Sequence, residues 1–362
     1  MVNIKVYNVN LPLKMPFETS FGVQYSRNAL IIEFIGDVSA YGESVTEEFP
    51  GYSYEDNETA IHVIKDFLID IIKEVKDPEE FIERANKIKG HNMAKSSLET
   101  MLWDLKAKEN DIPLKNLING EKEKIESGIS IGILPMEILL KTIKKSLDLG
   151  YKRIKLKIKP GWDVNVLKEV RKNFGNIPLT VDANQAYEGK EDKVLDLDKF
   201  ELLMIEQPLS EGNLLGLSRL QKKLNTPICL DESIHNLKDA ETMLEMDAGR
   251  IINLKIGRVG GLTESLKIIN FCGKNKIPIW CGGMLETGIG RALNVIIQSR
   301  REFNMPGDTS PSDRYFEKDI IEKPFVMNNG YIDVPEGIGI GVKPDFEYMK
   351  KAGKIILKYN LK

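Results

Sequence analysis

Short apolar runs recur along the middle of the chain at nearly constant intervals, and each ends near a charged residue. The runs are RIKLKI, PLTVDAN, LLMIEQP, PICLDES and IINLKIG, and their charged ends follow one another at steps of 24 or 25 residues. Such a step accommodates one strand, one helix and two short loops. Repeated strand–helix units form a parallel sheet that can close into a barrel. A solenoid has a comparable period, but these runs share no repeated consensus, so we favour the barrel.

The barrel pattern extends from residue 126 to residue 324. We predict strand one at residues 129–133, strand seven at 278–281 and strand eight near 307–308. Strands two to six are predicted to end, in order, at Lys157, Asp182, Glu206, Asp231 and Lys255. The predicted fold class is α/β, with a TIM-like (β/α)7β barrel as the catalytic domain.

The segments on either side of the barrel have a different pattern. Residues 1–36 alternate like two or three strands, with a loop predicted at 15–22, and residues 55–108 carry apolar positions at helical spacing. Beyond residue 325, short strands and glycine-containing turns return. We predict that residues 1–125 form an α+β capping domain and that residues 325–362 fold back onto it.

Composition and charge narrow the function classes. The 362 residues carry a net charge of −3 with acids and bases interspersed, so we expect no nucleic-acid partner. No apolar segment is long enough to cross a bilayer, and the alternating start lacks the apolar core of a signal peptide. Three cysteines without C-x-x-C spacing indicate reduced thiols. We expect a cytoplasmic protein without a membrane partner, and we also expect a homo-oligomer.

Three carboxylates close consecutive predicted strands, namely Asp182, Glu206 and Asp231. Strand ends converge on one face of such a barrel, so the three side chains should meet there. Any one of them alone would be better explained as a helix-capping residue. Three like charges forced together would repel one another unless a cation lies between them. An all-oxygen set without His or Cys predicts Mg²⁺, with Mn²⁺ as an alternative.

Two lysines flank this trio on the strand before it and the strand after it. Strands two and six are four apart in an eight-stranded barrel, so Lys157 and Lys255 should face each other across the mouth. A lysine acts as a base only if its pKa falls toward neutrality, which nearby positive charge promotes. Lys155 and Arg258 are candidates for that supporting charge, beside the metal. An ion pair with an acid would explain one lysine, but not the opposed pair.

Two opposed bases above a divalent cation are suited to removing the proton next to a carboxylate. A proton next to a carboxylate is very weakly acidic, and a cation on that carboxylate stabilises the enediolate formed on its removal. A second group on the opposite face can return a proton, or stabilise the intermediate while a leaving group departs. Racemisation, epimerisation, β-elimination and cycloisomerisation of a small carboxylate are all consistent with this arrangement.

The motifs resemble those of the enolase superfamily, muconate-lactonising-enzyme subgroup. RIKLKIKPGWD, VDANQAY, IEQPL, TPICLDESI, NLKIGRVGG, WCGGMLETGIGRA and MPGDTSPSDRYF resemble, more narrowly, the o-succinylbenzoate synthase / N-succinylamino acid racemase family. The resemblance covers essentially the whole chain. It implies that Lys157 and Lys255 are the catalytic bases and that the three carboxylates are Mg²⁺ ligands.

The same resemblance implies a set of substrate-binding residues. Barrel residues near the substrate would be Ser130, Asn184, Gly283 and Met284. Capping-domain residues that close the pocket and select the far end of the substrate would be Phe17, Ser20, Phe21 and Tyr52. Gly283, as part of a glycine pair, would also permit close approach of the backbone to the substrate.

Several other functions compete with this interpretation. The G-x-S-x-G pattern around Ser130 resembles a nucleophile elbow, but alternating isoleucines place that serine within a strand. A non-catalytic barrel would be favoured by loss of the charged residues, all of which are present. Within the family, dehydration to o-succinylbenzoate, a menaquinone precursor, competes with racemisation of N-succinylamino acids. We expect the synthase activity, with the racemase as the alternative or as a second activity.

Overall fold

The computed structural model describes residues 2–18 and 22–361 and contains both the barrel and the capping region. The strands, in chain order, are β1 Val2–Glu18, β2 Val23–Ile35, β3 Ser39–Ser44, β4 Lys124–Glu126, β5 Gly128–Ile131, β6 Arg153–Lys157, β7 Leu179–Asp182, β8 Ile205–Glu206, β9 Ile228–Leu230, β10 Ile251–Leu254, β11 Ile279–Cys281, β12 Tyr331–Asp333 and β13 Gly353–Leu361.

The helices alternate with the strands from β5 onward. In chain order they are α1 Asn57–Val63, α2 Ile69–Glu74, α3 Pro78–Ala85, α4 Asn92–Glu109, α5 Leu114–Leu117, α6 Met136–Asp148, α7 Val164–Phe174, α8 Asp192–Leu195, α9 Leu214–Gln221, α10 Leu237–Met246, α11 Leu262–Asn275, α12 Gly288–Ile297 and α13 Phe346–Ala352. A π-helical turn at Ile64–Leu68 joins α1 to α2. None of the helices in the described part of the chain has both the length and the apolar character that crossing a bilayer would require.

Seven parallel strands form the barrel sheet, in the order β5 to β11. Residues 303–308 close it. Gly307 forms a parallel bridge to Ser127, and the Gly307 carbonyl accepts from the Gly128 amide at 2.7 Å. On the other side, the Asp308 amide donates to the Cys281 carbonyl at 2.9 Å. The predicted eighth strand therefore occupies its expected place, and the predicted barrel is confirmed.

The capping region is built from both ends of the chain. Its antiparallel sheet has the order β13-β1-β2-β3, and β13 pairs with β1 from Leu361 opposite Val2 to Gly353 opposite Val9. The expectation that the tail folds back onto the N-terminal region is therefore confirmed. The predicted domain limits at residues 125/126 and 324/325 stay predictions.

The predicted loop at residues 15–22 begins too early. β1 continues to Glu18, where Phe17 pairs with Gln24 and Glu18 with Val23, after a register shift that follows Pro12. The Met-Pro pair resembles a loop when considered alone, but the neighbouring strand β2 supplies hydrogen-bonding partners beyond the irregularity. Residues 19–21 lie outside the described part of the chain.

Buried acids of the capping region bind the N-termini of two barrel helices. Glu99 accepts hydrogen bonds from the amides of Leu262 and Thr263, at 2.8 and 2.7 Å, at the start of α11. Glu43 accepts from the amides of Thr287 and Gly290, at 3.0 and 2.8 Å, at the start of α12. The first amides of a helix lack partners within the helix, and a carboxylate satisfies them and complements the helix dipole. These two contacts fix the cap over the barrel loops that follow β10 and β11.

Candidate active site

The three predicted metal ligands meet at the carboxyl ends of neighbouring strands. Asp182 and Glu206 are the last residues of β7 and β8 and pair directly in the sheet, and Asp231 follows the last residue of β9. All three are buried, and one oxygen from each lies within 4.8 Å of the others. Buried carboxylates this close repel one another, and carboxylate oxygen is the donor that hard divalent cations prefer. This donor set therefore fits Mg²⁺ or Mn²⁺.

The Lys157 side of the trio is built from barrel residues. Lys157 Nζ lies 2.8 Å from Asp182 Oδ2 and donates to Asn184 Oδ1 at 2.6 Å. The amide nitrogen of Asn184 in turn donates to Glu232 Oε1 at 3.0 Å. Glu232 therefore orients the Asn184 amide so that its oxygen, rather than its nitrogen, faces the lysine.

Lys155 lies deeper than Lys157 on the same face of β6. Its Nζ lies 2.6 Å from Asp308 Oδ2, 3.0 Å from Glu206 Oε2 and 3.1 Å from Asp182 Oδ2. Burial alone would lower the pKa of Lys155, but these three carboxylates raise it above its ordinary value. A lysine held charged in this way can bind an anionic group, whereas Lys157 borders the open space beside it.

The Lys255 side combines barrel and cap. Lys255 Nζ lies 2.9 Å from Asp231 Oδ2 and 3.0 Å from Tyr52 Oη, and the Tyr52 ring covers the ammonium at 4.2 Å. The Arg258 guanidinium donates to the same two partners, reaching Tyr52 Oη at 2.9 Å and contacting Asp231 Oδ1. Arg258 therefore acts on Lys255 through shared partners.

The charges around the trio influence one another strongly. Burial would lower the pKa of Lys255, but Tyr52, Glu232 and Glu206 raise it above its ordinary value. Burial and the Asp182 charge raise the pKa of Glu206. The raised pKa values of Lys255 and Glu206 both reflect the negative charge gathered at the trio. The pKa of a lysine beside the trio can therefore fall only if positive charge is added there.

One pocket contains most of the predicted substrate-binding residues together with the lysines. The predicted residues that line it are Phe17, Tyr52, Ser130, Asn184, Gly283 and Met284. Ser20 and Phe21 lie outside the described residues. Ser130 lies inside β5 rather than at a strand-to-helix turn, so the geometry of a nucleophile elbow is not present there.

The glycine pair after β11 makes room for the site. A Cβ at Gly282 would come within 2.7 Å of Lys255 Cε, and one at Gly283 within 3.0 Å of the Asp308 carbonyl oxygen. Any larger residue at Gly282 would therefore displace the lysine side chain, while Gly283 lines the pocket itself.

Sequence reasoning missed three acidic residues of this region: Asp308, Glu232 and Glu47. Asp308 lies at the end of strand eight just as the five predicted residues lie at the ends of theirs, so its position alone could have identified it. Glu232 is adjacent to Asp231 in the chain, and only its contact with Asn184 marks it. Glu47 belongs to the cap and carried no positional signal, yet it lines the pocket.

Comparison with known proteins agrees with this geometry. Residues 1–119 match the family model described as mandelate racemase / muconate lactonizing enzyme, N-terminal domain, and residues 139–349 match that described as enolase C-terminal domain-like. An o-succinylbenzoate synthase of Geobacillus kaustophilus is 46% identical, with 93% of this chain and 92% of the relative covered. An N-succinylamino acid racemase of an Amycolatopsis species is 42% identical, with 94% of each covered.

The fold similarity is equally extensive. A crystal structure of an enolase superfamily member from Listeria innocua superimposes with a TM-score of 0.95 at 40% identity, covering 99% of both chains. These matches span both the capping region and the barrel. The chain is therefore an enzyme and belongs to the mandelate racemase / muconate lactonizing enzyme group of the enolase superfamily.

Proposed function

We propose that this enzyme is a Mg²⁺-dependent o-succinylbenzoate synthase, which dehydrates a succinyl-hydroxycyclohexadiene carboxylate in menaquinone biosynthesis. The observation that carries the proposal is the placement of Lys157 and Lys255 beside a buried carboxylate trio, with both lysines bordering one pocket. The relatives named o-succinylbenzoate synthase, at 46% identity and below, support this choice of reaction.

The lysines have separate tasks in dehydration. Lys157, in its neutral form, removes the proton next to the substrate carboxylate, and that proton leaves with the departing hydroxyl group as water. Lys255 stays cationic and stabilises the negative charge that develops, while Lys155 offers a fixed positive charge to the bound carboxylate. Mg²⁺ held by Asp182, Glu206 and Asp231, or Mn²⁺ in its place, would add positive charge at that carboxylate and make the proton more acidic.

Racemisation of N-succinylamino acids is the second candidate function, either alone or beside dehydration. It needs one base on each face of the substrate, and the arrangement of Lys255 with Tyr52 and Arg258 favours it. Its two hydrogen-bonded partners hold the Lys255 Nζ in one position, where it donates a proton as the ammonium and accepts one as the neutral amine. The relatives named N-succinylamino acid racemase support this candidate.

We expect a cytoplasmic homo-oligomer that acts on a small carboxylate, with a capping domain of residues 1–125 and 325–362 on a barrel of residues 126–324. Size-exclusion chromatography with light scattering tests the oligomeric state, and limited proteolysis tests the domain limits.

The deciding experiment assays the purified enzyme with both substrates in the presence of Mg²⁺. Dehydration is followed by the absorbance of the aromatic product, and racemisation by polarimetry. We expect kcat/KM for dehydration to exceed that for racemisation. The reverse order would assign the racemase as the main activity, and turnover of neither substrate would refute both.

A further inference from the structure

Glu47 is an acidic residue in the pocket wall that the reaction described above does not use. It lies between β3 and the segment carrying Tyr52, and its carbonyl accepts from the Asn57 amide at 2.9 Å. That hydrogen bond fixes the backbone at this position. The side chain borders the same space as Lys157 and Lys255, on the capping side.

The Glu47 carboxylate is held by a hydrogen bond, and the basic side chains around it act on it from a distance. In the described part of the chain no lysine, arginine or histidine forms an ion pair with it, although Gln24 donates a hydrogen bond. Arg27 is nearby, but its guanidinium is engaged with the Thr46 and Ser44 carbonyls. Burial raises the pKa of Glu47, and the charges of Arg27, Lys255 and Lys157 pull it down. A partly buried acid with no basic side chain in direct contact among the described residues favours a ligand that brings a cation to it.

Part of the surrounding wall is apolar. Phe17, Val23 and Phe49 line the pocket on the same capping side as Glu47. A ligand group that suits this wall has an apolar stem and a positive end. Lysine and arginine side chains have this form, because their methylene stems pack on apolar and aromatic surfaces while the charged end seeks a carboxylate.

The lysines fix which part of a substrate can reach Glu47. The reacting carbon must lie between Lys157 and Lys255, with its carboxylate toward the trio. The remaining substituents extend into the pocket, toward the capping side. The succinyl carboxylate of either candidate substrate would be repelled by Glu47 and must lie elsewhere in the pocket, whereas a cationic side chain directed at Glu47 would be paired.

We propose that Glu47 selects N-acylated amino acids with a basic side chain, whose terminal ammonium or guanidinium pairs with its carboxylate. This inference rests on the racemase activity given above as the second candidate function, and it names the substrate class for that activity. Its competitor is a purely structural role, in which Glu47 only holds the segment around Gln24.

The test compares racemisation of N-succinyl-lysine, N-succinyl-arginine, N-succinylnorleucine and N-succinylglutamate. A charged hydrogen bond in a partly desolvated site corresponds to roughly a tenfold difference or more in kcat/KM. We expect the wild-type enzyme to prefer the basic side chains over norleucine by about that factor. Glu47→Gln, which keeps the hydrogen bond to Gln24, should bring them within about threefold, and Glu47→Lys should favour glutamate.

Glu48→Gln is the matched control. Glu48 is the exposed neighbour, it contacts Asn28, and its replacement should leave the order of substrates unchanged. Absence of any preference in the wild-type enzyme, or an equal loss on all four substrates in Glu47→Gln, would overturn the selective role and leave the structural one.

Equilibrium binding separates this inference from the proposed function. Titration calorimetry with N-succinyl-lysine and N-succinylnorleucine measures the preference even if neither is turned over. An enzyme that is inactive with all substrates but binds the lysine derivative more tightly, in a Glu47-dependent manner, would refute the proposed reactions and retain the role of Glu47. Equal binding of the two would refute that role.

Discussion

The two sides of the carboxylate trio differ in where their residues come from. Lys157 is held by Asp182 and Asn184, which both belong to the barrel. Lys255 is held by Asp231 of the barrel and by Tyr52 of the cap, and Arg258 shares both partners. The contacts that hold Lys157 need only the folded barrel. The contacts that hold Lys255 are complete only when the cap is docked on the barrel.

This difference connects cap position to the choice of reaction. A reaction that takes a proton with Lys157 alone depends mainly on the barrel. A reaction that exchanges protons on both faces also needs the exact position of the Lys255 ammonium, and so it depends on the cap. Changes in the capping region should therefore affect racemisation more than dehydration.

Metal removal should have the largest effect and should affect both sides equally, because the trio lies between them. Treatment with a chelator followed by gel filtration is expected to abolish both activities, and added Mg²⁺ or Mn²⁺ to restore them, with binding of the ion followed calorimetrically. Full activity of the protein shown by elemental analysis to be metal-free would refute the role of the trio.

Replacement of the barrel-side base should come next in size. Lys157→Ala is expected to lower kcat for both reactions by roughly 10²–10⁴-fold or more, because each begins with proton removal by this residue. Lys159→Ala is a control, since that side chain lies beyond the end of β6 and is about half exposed. Near wild-type rates in Lys157→Ala would mean that another group is the base.

Arg258→Gln should distinguish the two sides. The guanidinium contacts Asp231 and Tyr52, the partners of Lys255, and within the described residues none of its hydrogen bonds reach the Lys157 side. We expect racemisation to fall by about 10–100-fold and dehydration by only a few-fold. The measurements are kcat/KM for both reactions and exchange of the α-proton of each enantiomer in D₂O.

The outcome of that experiment bears directly on the comparison. Selective loss of exchange from one enantiomer would locate the defect at Lys255. If both reactions lost activity equally, and the ratio of α-proton exchange rates of the two enantiomers stayed the same, the result would instead indicate general damage to Asp231. Arg250→Gln provides a control at an arginine that is about half exposed and lies before β10.

Tyr52→Phe should have a smaller effect in the same direction. The substitution keeps the aromatic ring over Lys255. It removes the hydroxyl group that hydrogen-bonds to Lys255, Asp231 and Arg258. The hydroxyl makes three hydrogen bonds, and loss of even one is worth about 1 kcal/mol, so racemisation should fall by at least roughly fivefold while dehydration changes less. Tyr54→Phe, at an exposed tyrosine two residues away, serves as the control. A larger loss in dehydration than in racemisation would contradict the assignment of Tyr52 to the Lys255 side.

The smallest effect on activity is expected for Glu99→Gln, whose influence should appear in stability. Burial raises the pKa of Glu99 to about 7 in the folded chain, above its ordinary value of 4.5. The folded state therefore binds the proton more tightly than the unfolded state, and stability falls as the pH rises from about 4.5 through about 7. At about 1.4 kcal/mol per pKa unit, this shift corresponds to roughly 3 kcal/mol of pH-dependent stability, which the variant should lack.

Urea unfolding of the wild type and Glu99→Gln at pH 5 and pH 8 gives the change in the free energy of unfolding with pH for each protein. Comparing these two changes removes any pH-independent cost of the substitution. The variant should lose less stability than the wild type over this interval. Parallel pH dependence in the two proteins would show that Glu99 does not titrate in the folded state.

Much of the candidate site was predictable because it follows a local rule. The strands of successive (β/α) units all end at the same face of the barrel. A charged residue at the end of an apolar run can therefore be assigned to that face without knowledge of its contacts. That rule located Asp182, Glu206 and Lys157, and it applies equally to Asp308, which was overlooked. The loop at residues 15–22 was mispredicted in part because β2, rather than the local sequence, pairs with residues 17 and 18.

The sequence by itself determined the barrel, the order of its strands and the residues at their ends, because strand and helix periodicity and the repeat length are local properties of the chain. The tertiary structure alone decided which residues of the cap and the barrel contact one another at the site. Tyr52 reaches Asp231 across 179 residues, and Glu99 reaches Thr263 across 164. Such contacts depend on how the cap packs against the barrel, and packing of this kind leaves no periodic signal in the sequence.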